Sequence, residues 1–103
     1  MILNLTPHTV VLYREGRPTL TFKPEAIPAR VSEYPQSLGE FEGCPLTMME
    51  FGELTGLPDY EEGVLLIVSS MVRKAIDRDD LVSPSDMVRD GDGNILGCRA
   101  LTF

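Results

Sequence analysis

The clearest structural signal in the chain is the segment Val64-Leu65-Leu66-Ile67-Val68-Ser69-Ser70-Met71-Val72-Arg73-Lys74-Ala75-Ile76. Its first five residues form a continuous apolar run, which is typical of a strand buried on both faces. The two serines can cap a helix, and the apolar residues after them recur on one face of that helix. The segment therefore predicts a buried strand followed by one short helix. We expect this strand at the centre of the core, with these side chains packed around it: Leu12, Leu20, Phe22, Met48 and Ile95.

The rest of the chain consists of short strand-like stretches separated by turn residues. Residues 9–13 and 19–22 are rich in β-branched and aromatic side chains, and residues 14–17 between them predict a hairpin turn. Residues 90–94 predict a second tight turn before a final strand. Residues 33–40 are polar and include a proline and a glycine, so they predict a surface loop. These features predict an α+β fold, a mainly antiparallel sheet or barrel-like domain with one short helix, and residues 1–103 as a single domain.

The charge of the chain excludes several classes of partner. Nine Lys and Arg against sixteen Asp and Glu give a net charge of −7. Such a field repels phosphate backbones and anionic lipids, so we expect no binding to nucleic acid or to membranes. The excess is concentrated in residues 41–63, the acidic stretch, which contains no base and these six acids: Glu42, Glu50, Glu53, Asp59, Glu61 and Glu62. The acidic stretch has two interpretations, a solvated loop that aids solubility or a docking surface for a basic protein.

Neither a leader nor a membrane segment is visible in the sequence. The first residues lack the basic and long apolar regions of a secretory signal. The longest purely apolar run has five residues, Val64 to Val68, against roughly 20 for a membrane helix. We therefore expect a cytoplasmic location.

Metal and catalytic chemistry find little support. Two cysteines, Cys44 and Cys98, and one histidine, His8, are too few for a four-ligand zinc site, and we expect no cofactor. The second turn begins like a calcium loop, but Ile95 and Leu101 occupy the positions where that loop requires glycine and glutamate. His8 could act as a general base, yet no nucleophile signature accompanies it, so we assign no catalytic residue. Whether the two cysteines pair stays open.

The candidate binding site lies where the buried strand meets the helix. Backbone N–H groups at a helix start favour an anion, and the hydroxyls of Ser69 and Ser70 could bind a phosphate or carboxylate. Arg78 follows among acidic residues that could hold its guanidinium as a fork toward a ligand. Asn4 and His8 are expected as neighbours across the sheet. The structural alternatives are a plain helix cap at the serines and a solvated loop around Arg78.

Short motifs are spread over nearly the whole chain: Asn4-Leu5-Thr6-Pro7-His8, Gly56-Leu57-Pro58, Glu62-Gly63, Ile67-Val68-Ser69, Arg78-Asp79-Asp80-Leu81-Val82 with Pro84, Val88-Arg89-Asp90, Gly93-Asn94-Ile95 and Gly97-Cys98-Arg99. Their combination resembles a family of small uncharacterised proteins from bacteria and their phages. The resemblance implies a phage or prophage accessory protein and brings no catalytic residues. It also raises a hypothesis, because small phage proteins often counter host defence by binding a signal molecule or a defence protein.

Three functions follow as hypotheses. The first is a non-catalytic accessory protein that sequesters a small anionic ligand, such as a nucleotide, as a countermeasure to host defence. The alternatives are a protein-interaction module that uses the acidic stretch, and a small hydrolase that uses His8. Because a domain of this size buries only about 60–65% of its unfolded surface, we also expect a homo-oligomer.

Overall fold

Eight strands and one helix make up the computed structural model, which describes all residues from Met1 to Phe103. In chain order they are β1 (Ile2–Asn4), β2 (Val10–Arg14), β3 (Arg17–Phe22), β4 (Arg30–Phe41), β5 (Cys44–Thr55), β6 (Leu65–Ile67), α1 (Ser70–Ala75), β7 (Leu81–Arg89) and β8 (Ile95–Thr102). The longest pairings, β2–β3, β4–β5 and β7–β8, are antiparallel. The predicted α+β fold, rich in antiparallel strands and with one short helix, is confirmed. No helix here has the length and apolar character needed to cross a lipid bilayer.

The buried strand predicted from the sequence is β6. It lies second in a six-stranded sheet of order β1-β6-β7-β8-β2-β3 and pairs in parallel with both of its neighbours. Leu66 and Val68 belong to one hydrophobic cluster with Leu5, while Ile67 belongs to a second cluster with Val10. Successive residues therefore face opposite sides of the sheet, and the strand is covered on both faces as the apolar run predicts.

The side chains expected around this strand are only partly placed correctly. Leu12 and Phe22 pack against the cluster that contains Ile67, and Leu20 is half-buried. The prediction is wrong for Met48 and Ile95, which are 54% and 56% exposed. Met48 lies on β5, outside the six-stranded sheet, and Ile95 lies at the first residue of β8, beside a turn.

The local predictions around the helix and the turns are confirmed. Ser69 is the N-cap of α1, since its Oγ accepts a hydrogen bond of 3.2 Å from the backbone N of Val72. β2 and β3 form the predicted hairpin. In the turn between β7 and β8, the Asp90 carboxylate accepts hydrogen bonds of 2.9 Å from the backbone N of Asp92 and of Asn94. The Asn94 backbone bond is the main cause that holds the pKa of Asp90 below its usual value.

The predicted surface loop at residues 33–40 is wrong, because these residues lie in β4. β4 and β5 form a separate two-stranded sheet of 12 residues per strand, which we call the arm. Pro35 fits because a two-stranded ribbon has free edges that need no N–H donor, and Gly39 lies at a bulge with a φ of 94°. The arm meets the rest of the molecule at its base, where Val31 and Leu54 pack against the cluster containing Leu66. The radius of gyration is consequently 16.4 Å, against about 13 Å for a compact chain of this length.

Candidate functional site

The arm is the largest exposed feature of the molecule. Of its 24 strand residues, all except Val31 and Leu54 are exposed. The exposed residues include seven large apolar side chains: Tyr34, Leu38, Phe41, Leu46, Met48, Met49 and Phe51. Large exposed apolar surfaces on soluble proteins commonly mark binding sites, so this concentration of apolar side chains makes the arm a candidate site.

The register of the two strands divides the arm into two faces. Residues opposite each other in an antiparallel pair point to the same side. The inner face continues from Val31, which packs on the core, and consists of Glu33, Pro35, Ser37, Glu40, Pro45, Thr47, Met49 and Phe51. The outer face lies on the other side of the ribbon and consists of Tyr34, Gln36, Gly39, Phe41, Cys44, Leu46, Met48 and Glu50. Leu38 is the extra residue of the bulge.

The two faces differ in charge. The outer face carries one acid, Glu50, whose Oε2 accepts a hydrogen bond of 3.2 Å from Gln36 Nε2. The inner face carries two acids, Glu33 and Glu40, and neither has a hydrogen-bonding or salt-bridge partner. The outer face is therefore the more apolar of the two, and the inner face combines apolar side chains with free carboxylates.

None of the six acids of the acidic stretch takes part in a salt bridge. All six of its acids are exposed. The two salt bridges of the molecule are elsewhere and join Arg78 to Asp80 and Arg99 to Asp86. Residues 41–63 include the end of β4, all of β5 and the connection to β6, so much of the acidic stretch is strand rather than loop.

Asn4 is held within the protein. Its side-chain amide donates to the backbone oxygens of His8 and Phe22 at 2.7 and 2.9 Å. Its Oδ1 accepts hydrogen bonds from the backbone N and the hydroxyl of Thr6 at 2.9 and 2.7 Å. The residue is buried and its hydrogen-bonding capacity is fully used, so it fastens β1 to the loop after it and to the end of β3.

The Arg78 guanidinium is held by an acidic neighbour, as expected, but the two N–H groups that could bind a ligand as a fork bind the carboxylate of Asp80 instead. Its Nε and one terminal nitrogen donate to the two carboxylate oxygens of Asp80 at 2.9 and 2.6 Å. The other terminal nitrogen donates to the backbone oxygen of Pro58 at 2.9 Å. Three of the five N–H donors of the guanidinium are thus engaged within the protein, and Asp80 occupies one of its two-donor edges.

The remaining predicted residues line grooves away from Arg78. Ser69 and His8 share a groove of about 600 Å³ whose lining is mostly apolar and contains neither Lys nor Arg. Ser69 also lines a cleft of about 450 Å³ that contains Arg30. Ser70 is exposed at the first position of α1. The structure therefore brings Ser69 and His8 together and leaves Arg78 elsewhere, and a ligand role for these five residues stays a prediction.

The two cysteines lie in different environments. Both are free, with Cys44 exposed on the arm and Cys98 buried. Cys98 lines the same groove as His8, and its burial raises the pKa of the thiol. The raised pKa favours the neutral form of the Cys98 thiol, which is a poorer nucleophile than the thiolate.

Comparison with known proteins adds no relative. No family model matches the sequence, and no curated protein and no solved structure is significantly similar to it. The suggested relation to phage proteins stays a prediction, and the arm and the two grooves are the features of the structure that bear on function.

Proposed function

We propose that this protein is a non-catalytic interaction module whose arm docks on a protein with an apolar groove bordered by Lys and Arg side chains. The observation that carries the proposal is the arm itself, a long hairpin with exposed apolar side chains on both faces. A two-stranded ribbon of this kind gains little stability from burying its own side chains. Its apolar content is therefore better explained by a surface that is covered in a complex.

Charge defines the chemistry of the partner. Residues 30–55 contain five acids and one base, Arg30, which gives the arm a net charge of −4. The inner face presents Glu33 and Glu40 beside the apolar Met49 and Phe51. A partner with apolar pockets and a basic rim matches both properties, whereas a nucleic acid or an anionic membrane would be repelled.

Site-specific photo-crosslinking tests this proposal directly. A photoreactive phenylalanine analogue replaces Phe51 on the inner face, and the matched control carries the same analogue at the exposed Tyr13 on β2. We expect irradiation in the native host cell to give one defined protein adduct from position 51 and none from position 13. Identical adducts from both positions, or none from position 51, would contradict the proposal.

A charge-reversal variant then tests the electrostatic part. With the crosslinked protein purified, calorimetry compares the wild type with a Glu33→Lys, Glu40→Lys variant. We expect weaker binding for the variant and a fall in wild-type affinity with added salt, since exposed charges are screened beyond about 8 Å at physiological ionic strength. If neither the substitutions nor added salt alters the affinity, the basic rim proposed for the partner is wrong, and the apolar side chains alone determine binding.

A small anionic ligand is the second candidate function, and Arg30 is the observation that favours it. Its guanidinium has no hydrogen-bonding partner and lines the 450 Å³ cleft together with the hydroxyl residues Thr6 and Ser69. Glu33 and Glu53 line the same cleft and oppose an anion there. Mass spectrometry of small molecules released on denaturation tests this candidate, and Arg30→Ala should abolish retention of any anion that is found.

The biological setting belongs to the same proposal. A phage or prophage accessory protein that binds a defence protein in the bacterial cytoplasm would need a docking element and no catalytic residues. The arm provides the docking element. The partner identified by crosslinking decides whether it belongs to host defence.

A further inference from the structure

We infer that the outer face of the arm is a self-association surface, on which the arm of a second copy packs face to face and antiparallel. This inference concerns the opposite face from the one proposed to meet a basic partner, and it stands or fails separately. It rests on three properties of the outer face: its area, its low charge and its position on the ribbon.

The area is sufficient for a specific interface. Twelve residues per strand give a ribbon about 40 Å long, and two strands with their side chains are about 10 Å wide. Two such faces packed along their length bury on the order of 1,000 Å² in total, which is at the low end for a biological interface and fits a dimer that forms at micromolar concentration. Large side chains lie along much of this length, with Phe41 near the tip, Leu46 and Met48 in the middle and Tyr34 toward the base.

Charge favours a second copy on this face and disfavours it on the other. The inner face carries Glu33 and Glu40, which would repel their equivalents in an identical partner. Among the residues that the register assigns to the outer face, the one acid is Glu50, which is already hydrogen-bonded to Gln36. Glu53 lies in the bulge at the base of the arm and lines the cleft beside Glu33. In a parallel arrangement the two Glu50 side chains would meet, whereas in an antiparallel one they lie apart and each faces the middle of the other arm, near Leu46. The antiparallel arrangement is therefore the one that the charges allow.

Position also favours a second copy. The inner face continues from Val31 and Leu54, which pack against the core at the base of the arm. The outer face lies on the opposite side of the ribbon from these contacts. Two arms can therefore stack by their outer faces, with the two six-stranded sheets at opposite ends of the pair.

Neighbouring methionines provide a matched test. Met48 on the outer face and Met49 on the inner face are the same residue type and are 54% and 50% exposed. Sedimentation velocity from low to high micromolar protein compares the wild type, Met48→Glu and Met49→Glu. We expect the wild type and Met49→Glu to form dimers alike, and Met48→Glu to weaken the dimer at least about a hundredfold, because each copy would bury an unpaired carboxylate. Circular dichroism and urea titration confirm that both variants fold, as expected for exposed positions.

Three results would overturn the inference: a wild type that stays monomeric at high micromolar concentration, equal loss of the dimer in both variants, or a dimer that neither variant weakens. None of these results affects crosslinking from Phe51, so failure here is distinguishable from failure of the proposed function.

A distance measurement tests the antiparallel arrangement. A Glu42→Cys, Cys44→Ser variant places one accessible cysteine at the tip of the arm, since Cys98 is buried. Spin labels at this position should lie about 40 Å apart, the length of the ribbon, when the tip of each arm reaches the base of the other. A separation near 10 Å would show parallel arms and overturn the arrangement proposed here.

Discussion

Leu66 on β6 and Leu46 on β5 are the same residue in the same type of element, yet they are 2% and 42% exposed. β6 has a strand on each edge and a hydrophobic cluster on each face. β5 has one strand neighbour, β4, and beyond its base no layer covers either of its faces. The comparison teaches that an apolar strand stabilises the core of this molecule only where other elements cover it, and that the exposed apolar side chains of the arm contribute little to that core.

The largest expected effect is the loss of a core side chain. Leu66→Ala should lower the free energy of unfolding by about 2–5 kcal/mol, because it removes buried methyl groups and leaves a cavity. Leu46→Ala is the matched control on the arm and should cost less than about 0.5 kcal/mol in the monomer. Urea unfolding at low protein concentration measures both. Similar losses for the two variants would mean that the arm contributes to the core.

The two salt bridges provide the next test of the same contrast. Asp80 is 3% exposed and Arg78 is 19% exposed, so Asp80→Asn should cost about 2–3 kcal/mol by leaving a largely buried guanidinium unpaired. Asp86 and Arg99 are 61% and 56% exposed at 3.5 Å, and Asp86→Asn should change stability by less than about 0.5 kcal/mol. Thermal unfolding compares the two variants. A small effect at Asp80 would indicate that Arg78 is free to bind a ligand.

Two glycines sharpen the comparison further. A Cβ at Gly97 on β8 would lie 2.5 Å from the backbone oxygen of Val11, so Gly97→Ala must move strand β2 and should cost about 1–3 kcal/mol. A Cβ at Gly52 on the arm would also lie 2.5 Å from its nearest atom, but that atom is Cε2 of the Tyr34 ring. The exposed ring can rotate away, so Gly52→Ala should cost less than about 0.5 kcal/mol. Equal costs at the two positions would show that the arm is as rigid as the sheet.

The smallest effect is expected at the helix cap. Ser69→Ala removes the acceptor for the Val72 backbone N–H and should cost about 1 kcal/mol. Ser70→Ala is the control, because the Ser70 hydroxyl makes no hydrogen bond within the protein, and we expect almost no change in its unfolding midpoint. The reverse order of stabilities would remove the capping role assigned to Ser69.

The features predicted correctly from the sequence are those that depend on nearby residues. The apolar run of β6, the cap at Ser69 and the turn after Asp90 each follow from a few consecutive side chains. The arm depends on pairing between two segments in which Pro35 and Gly39 ordinarily indicate a loop. A free ribbon edge tolerates the proline and a bulge accommodates the glycine, and neither condition is visible without the partner strand.

The candidate site shows the same limit. An ion pair between Arg78 and a neighbouring acid could be predicted from adjacent residues. The backbone oxygen of Pro58, which accepts a further hydrogen bond from Arg78, lies 20 positions away in the sequence. Asn4 likewise owes its buried role to Phe22, 18 positions away. Local sequence indicated which polar residues are special, and only the tertiary structure shows that their hydrogen bonds are directed inward.

The parallel pairing of β1 with β6 has a consequence for the order of folding. β1 cannot pair with β6 until residues 65–67 have been synthesised, because Leu3 pairs with Leu66. The arm needs only the turn at Glu42 and Gly43 to bring its strands together, a much shorter loop closure. As the chain is made from its N-terminus, the arm can close while the main sheet still lacks the pairing of β1 with β6. The nascent chain therefore exposes the apolar side chains of the arm before the core around β6 can form. If the arm dimerises as proposed, pairing of two nascent chains would cover these side chains during synthesis.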